Sequence, residues 1–132
     1  SAIESTPGHI ALSAALHEML RLSGEVDPDD ALLRSDGDPD LLVERLRGLV
    51  DICAETTDSI SEALTDGNMR EASTLFLSLR LPCTDVAALA LAREAHSIGL
   101  CLLRADPPVK RAEMFLMRFE GFLAQLSEAV YG

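Results

Sequence analysis

"DPDLLVERLRGLVDICAETTDSISEALTDGN", residues 38–68, decides the fold class. Asp38 followed by Pro39 is a helix start. The acidic side chain can accept from free backbone N–H groups, and a proline at the first helical position gives up only an N–H that has no partner. From there Leu42, Leu46, Leu49, Cys53, Ile60 and Leu64 recur at spacings of three, four or seven, which puts one apolar stripe on a long helix over residues 39–65. Asp66-Gly67-Asn68 then closes it with tight-turn chemistry.

The same pattern continues on both sides. "MREASTLFLSLRL" (69–81) reads as a further helix whose extent Pro82 limits. "CTDVAALALAREAHSIGLCLLRAD" (83–106) has Thr84 or Asp85 as cap candidates and a core stripe of Ala88, Leu91, Ala95, Ile98 and Leu102. After Asp106-Pro107-Pro108, "VKRAEMFLMRFEGFLAQLSEAV" (109–130) places Ala112, Phe115, Phe119, Phe122, Leu126 and Ala129 on one side. Upstream, residues 25–40 hold a short helical turn between two Asp-Pro signals. "GHIALSAALHEMLRLSG" (8–24) is amphipathic through Ile10, Ala14, Leu16 and Leu20 and stops at Gly24. No stretch alternates as a strand would. The reading is an all-α protein, an antiparallel four-helix bundle with an extra N-terminal helix: a lead-in and flanking helix over 1–25, and the bundle over 26–132.

At 132 residues, with 48 % hydrophobic and 25 % charged side chains, the chain suits one folded domain. Its net charge of −11 disfavours nucleic acid and anionic membrane surfaces, and leaves room for a protein partner with a basic or mixed face. Neither a membrane-spanning run nor a secretory signal pattern stands out, so a cytoplasmic protein without membrane insertion is expected. Cys53, Cys83 and Cys101 are far apart, with no CxxC or Cys/His ligand spacing; they read as reduced, buried hydrophobes. The carboxylates Glu44, Asp51, Glu55 and Asp58 come without the ExxH pair of di-iron bundles, and "DPDD" lacks calcium-loop spacing. With no phosphate loop, HExxH or nucleophile elbow either, no metal and no cofactor is expected.

One face of the 69–81 helix stands out. Met69, Ala72, Phe76 and Leu79 share a stripe, with Leu75 at its edge. Arg70, Thr74, Ser78, Leu77 and Leu81 lie opposite, and the two leucines are one turn apart. Either the first helix covers this face, or the leucines form an exposed apolar knob that marks a partner site.

Residues 26–130 resemble a histidine-containing phosphotransfer (HPt) domain in helix order, lengths and turns. The likeness rests on Leu32, Leu33, Gly37, Asp38, Leu41 and Leu42 at the front, and on Ala63, Leu64, Gly67 and Asn68 at the turn before the short helix. In such domains that short helix ends in Ala-His-x-Leu-Lys-Gly, and its histidine exchanges a phosphoryl group with an aspartate of a receiver domain. Here Leu77 stands at the histidine, Leu79 at the leucine, Arg80 at the lysine and Leu81 at the glycine. Leu77 has no nucleophilic nitrogen. The resemblance therefore implies a degenerate, non-catalytic member that binds a receiver domain, a histidine kinase or another regulator of a bacterial signalling pathway. Leu77, Leu81, Ser78, Arg80, Thr74 and Arg70 would form its contact face. Two alternatives remain: a small acidic helical chaperone or assembly component of a bacterial secretion system, and an active phosphotransfer domain using His96 in "REAHSIG". His9 and His17 read as surface residues.

Overall fold

The computed structural model describes residues 12–132, and those residues form helices and turns only. The helices are α1 (Ala14–Ser23), α2 (Pro28–Arg34), α3 (Pro39–Thr65), α4 (Met69–Ser78), α5 (Arg80–Asp85), α6 (Leu89–Cys101) and α7 (Val109–Tyr131). The all-α class and the bounds of α3 are as the sequence predicts. Ile10 and His9 lie outside the described residues.

Local chemistry sets most of the helix ends. The Asp27 and Asp38 carboxylates accept backbone N–H groups at the starts of α2 and α3, each followed by a proline. α3 ends with Gly67 at φ 73°, its N–H on the Leu64 carbonyl and the Asn68 N–H on that of Ala63. That paired closure uses up two carbonyls the helix would otherwise leave bare. Asn68 immediately caps α4 by accepting from the Glu71 N–H.

Two boundaries differ from the sequence reading. The helix expected over 69–81 is broken at Leu79, which divides it into α4 and α5. Pro82 is the cause: its ring excludes the carbonyl four residues back, at Ser78, and it brings no N–H to bond there. Thr84 and Asp85 do not cap α6; they sit in the last turn of α5, and the Thr84 hydroxyl donates to the Arg80 carbonyl. α5 closes through Ala87, an alanine at φ 61° where glycine is usual, and α6 starts from Ala88 with no side-chain cap.

α3 packs against α7 and α4, α4 and α5 against α6, and α1 against α7 and α2. α3 and α7 run in opposite directions. Arg47 and Asp51 meet Val130 and Tyr131 at one end, while Asp58 and Glu120 line one groove further along. Phe76, Phe115 and Phe119 stack through the centre at 5.7 and 5.6 Å between ring centroids. The predicted stripes of α3 and α6 are fully buried, and Leu16 and Leu20 of α1 join the same core. Ala14 and Ala129, placed on apolar sides by the sequence, are exposed, with Val130 buried in place of Ala129. His17 sits at the edge of α1, its Nε2 3.5 Å from the Asp29 carboxylate.

Cys53 and Cys83 are buried, and Cys101 is partly exposed. Burial pushes the Cys53 thiol up to about 11 and the Cys83 thiol higher still. Both therefore stay protonated and shielded. A thiol reagent at mildly alkaline pH should titrate Cys101 alone in the folded protein and all three after denaturation. Fast modification of Cys53 in the native state would contradict this packing.

Candidate functional site

The Pro82 break positions the face singled out in the sequence. α4 ends at Ser78, and Arg80 and Leu81 open α5, so Leu81 stands 69 % exposed. Leu77 does not match it: its side chain is half-buried against Gly99 of α6. The element beside Leu77 is α6, whereas α1 packs on α7 and α2, so among the described residues the first helix does not cover this face. Thr74 and Ser78 are exposed, but their hydroxyls donate back into their own helix, to the Arg70 and Leu75 carbonyls. Arg70 and Thr74 line a separate depression with Asn68, Glu71 and Leu75. Of the six residues expected to act together, Arg70 and Thr74 line this depression in the first half and middle of α4, and the others lie at the α4–α5 junction one turn on.

Gly99 lets α4 and α6 approach. A Cβ there would lie 2.8 Å from Leu77 Cγ and Cδ2 and 3.2 Å from the Ser73 carbonyl oxygen. The buried Ser73 hydroxyl donates to the Gly99 carbonyl at 2.6 Å, occupying an acceptor in the last turn of α6 that has no helical partner of its own. Gly99→Ala therefore sets a favourable helix propensity of about 1 kcal/mol against an overpacked contact costing about 1–3 kcal/mol. Chemical denaturation should show a net loss that shrinks by about 1–2 kcal/mol when Leu77 is also alanine. Strict additivity of the two substitutions would show that Leu77 does not rest on Gly99.

Across this junction the structure brings in residues that the sequence reading did not join to the face. Arg80, Arg93, His96, Ser97, Leu100, Cys101 and Arg104 line one open groove of about 400 Å³. Arg93, Ser97 and Leu100 follow each other at helical spacing along the outer side of α6, with Arg104 in the turn just after it. His96 is half-buried among them. Leu100 and Leu103 are exposed alongside.

The charges of this region set it apart. Arg21, Arg34, Arg111 and Arg118 are ion-paired, to Glu18, Asp30, Glu94 and Glu25. Arg45 and Arg47 donate to the Arg34 and Val130 carbonyls. Arg70, Arg80, Arg93 and Arg104 are exposed and have no side-chain hydrogen bond or ion pair among the described residues. The groove's remaining polar side is fixed from behind. Arg111 holds Glu94 through two hydrogen bonds of 2.9 and 2.8 Å and donates to Ser97 Oγ at 3.1 Å. The guanidinium holds the Glu94 carboxyl below its ordinary range. The pair's contribution is thus complete above that range and is lost as pH falls through the lowered value.

Among the described residues no three His, Cys, Asp or Glu side chains group to hold a metal, and no helix is long and apolar enough to cross a membrane. No family model, curated protein or solved structure matches this chain. Leu77, at the position where the sequence likeness places a histidine, offers only hydrocarbon. At Leu77 the face has no group to carry a phosphoryl.

Proposed function

We propose that this protein is a non-catalytic, HPt-like helical bundle that works by binding a protein of a signalling pathway: a receiver domain, a histidine kinase or another regulator. In this reading α3, α4 with α5, α6 and α7 are the four bundle members, and α1 is the added helix. The observation that carries it is Leu81, an exposed leucine at the head of α5 next in sequence to Arg80, which lines a groove with Arg93 and Arg104. These arginines have no side-chain partner among the described residues, although the chain has a net charge of −11. Exposed apolar surface next to unpaired arginine is the composition of a contact site, since arginine and apolar anchors are favoured where proteins meet.

Calorimetry with purified receiver domains, resting and beryllofluoride-activated, and with a histidine-kinase dimerisation domain tests the proposal. Saturable one-to-one binding to a member of this set, with no phosphoryl label passing to the protein, is the expected result. Absence of binding to every member removes the signalling assignment.

The three arginines around His96 favour one competing reading, phosphotransfer through that imidazole, because guanidinium groups neutralise a phosphoryl group well. Alkali-stable label from a phosphorylated receiver, absent in His96→Gln, would establish it in place of the first reading.

A further inference from the structure

We infer that the groove between Arg80 and the outer side of α6 seats an acidic, leucine-bearing segment of a protein partner. This rests on reading the α4–α6 face as a contact surface, and not on the phosphotransfer likeness. Three observations carry it. First, Arg80, Arg93 and Arg104 line one groove while the ion-paired arginines of the described chain already hold carboxylates. Like charges brought together without partners repel one another, and an incoming set of carboxylates relieves that repulsion. Arginine also suits carboxylates geometrically, through its planar fork of donors. Second, Leu100 lines the groove with the arginines and is exposed, as are Leu81 and Leu103, the sequence neighbours of Arg80 and Arg104. A free anion makes no use of them, whereas a segment alternating carboxylates with apolar side chains uses both.

The third observation answers the objection that an acidic chain should repel an acidic partner. The groove's own lining carries no carboxylate. Asp27, Asp29, Asp30, Asp36, Asp38 and Asp40 belong to α2 and the start of α3, a region that meets α5 at its far end, where Arg34 donates to the Thr84 carbonyl. At physiological salt, exposed charges beyond about 8 Å are largely screened, so the guanidinium groups lining the groove dominate what a docked segment meets. Nucleic acid and anionic membranes present extended charge to the whole surface and are disfavoured by the net −11.

The test uses the full chain and three labelled probes: a short amphipathic peptide of glutamate and leucine, the same peptide with glutamine for glutamate, and one with serine for leucine. Inorganic phosphate and a purified receiver domain complete the set. Arg93→Glu/Arg104→Glu is the main variant, Arg93→Gln/Arg104→Gln the milder one should the first fail to fold, and Lys110→Glu the charge reversal outside the groove. The glutamate–leucine peptide should bind the wild type, weaken by at least about tenfold in the arginine variants, and be unaffected by Lys110→Glu. Its affinity should fall as salt rises. Equal binding of the glutamate and glutamine peptides, or of wild type and arginine variants, overturns the inference. Equal binding of the leucine and serine peptides, with phosphate displacing both, reduces the groove to a small-anion site and also overturns it. Peptide binding with no receiver or kinase binding leaves the groove standing and sinks the signalling assignment. Receiver binding that ignores the arginine variants, with no peptide binding, does the reverse.

Discussion

Leu81→Asp is expected to leave the melting temperature unchanged and to weaken the proposed partner binding at least about tenfold. The first half follows from position. Leu81 is exposed, so replacing it removes no core contact. The second half follows from what the side chain offers. Burying a leucine contributes about 1.5–3 kcal/mol, so losing it alone weakens binding roughly 10- to 100-fold. A carboxylate desolvated in the same contact adds to the loss. Titration calorimetry on the receiver or kinase domain that binds wild type, with thermal melting alongside, reads both. An affinity that survives the substitution would move the contact away from the α4–α5 junction. Leu77→Asp is a poor substitute for this test. It would press a charge against Gly99 at the α4–α6 contact and mix a folding defect with a binding one.

Phe76→Ala has the largest expected effect on stability. Phe76 is fully buried, and its ring meets Phe115, which in turn meets Phe119. Truncating such a side chain costs about 3–5 kcal/mol, the lost transfer energy plus the cavity left behind. A domain of this size is stable by about 5–15 kcal/mol in total, so the variant should be folded only marginally. Urea denaturation should show a midpoint shifted far down with an unchanged slope, and melting should fall by at least about 10 °C. Phe76→Leu, which keeps most of the volume, should cost about 1–2 kcal/mol. A loss below about 1 kcal/mol for the alanine variant would mean the aromatic stack is not the centre of the core.

What the sequence made legible was whatever local chemistry dictates. α3 was readable to the residue because Asp38-Pro39 and Gly67 act on their immediate neighbours. The break at Leu79 was missed because a proline disturbs the carbonyl four residues before it, so the helix gives way upstream of the residue that signals the stop. The start of α6 had no signal at all: an alanine in the left-handed conformation and an uncapped Ala88 look like helix interior. Leu77 looked as exposed as Leu81 because helical spacing gives a direction, and only the packing of α6 says what stands there.

The groove shows the same limit. The spacing of Arg93, Ser97, Leu100 and Arg104 was on the page, but which arginines are already satisfied was not. That depends on Arg118 meeting Glu25 and Arg111 meeting Glu94, partners from distant parts of the chain that no local pattern pairs.

The contact between Leu77 and Gly99 ties the α4–α5 face to the packing beneath it. A side chain at position 99 would press on Leu77 Cγ and Cδ2 and on the Ser73 carbonyl oxygen, so Leu77 or the spacing of α4 and α6 must shift. A single buried substitution would therefore reshape this face without changing any exposed residue. Glycine at this point holds the face in its present shape.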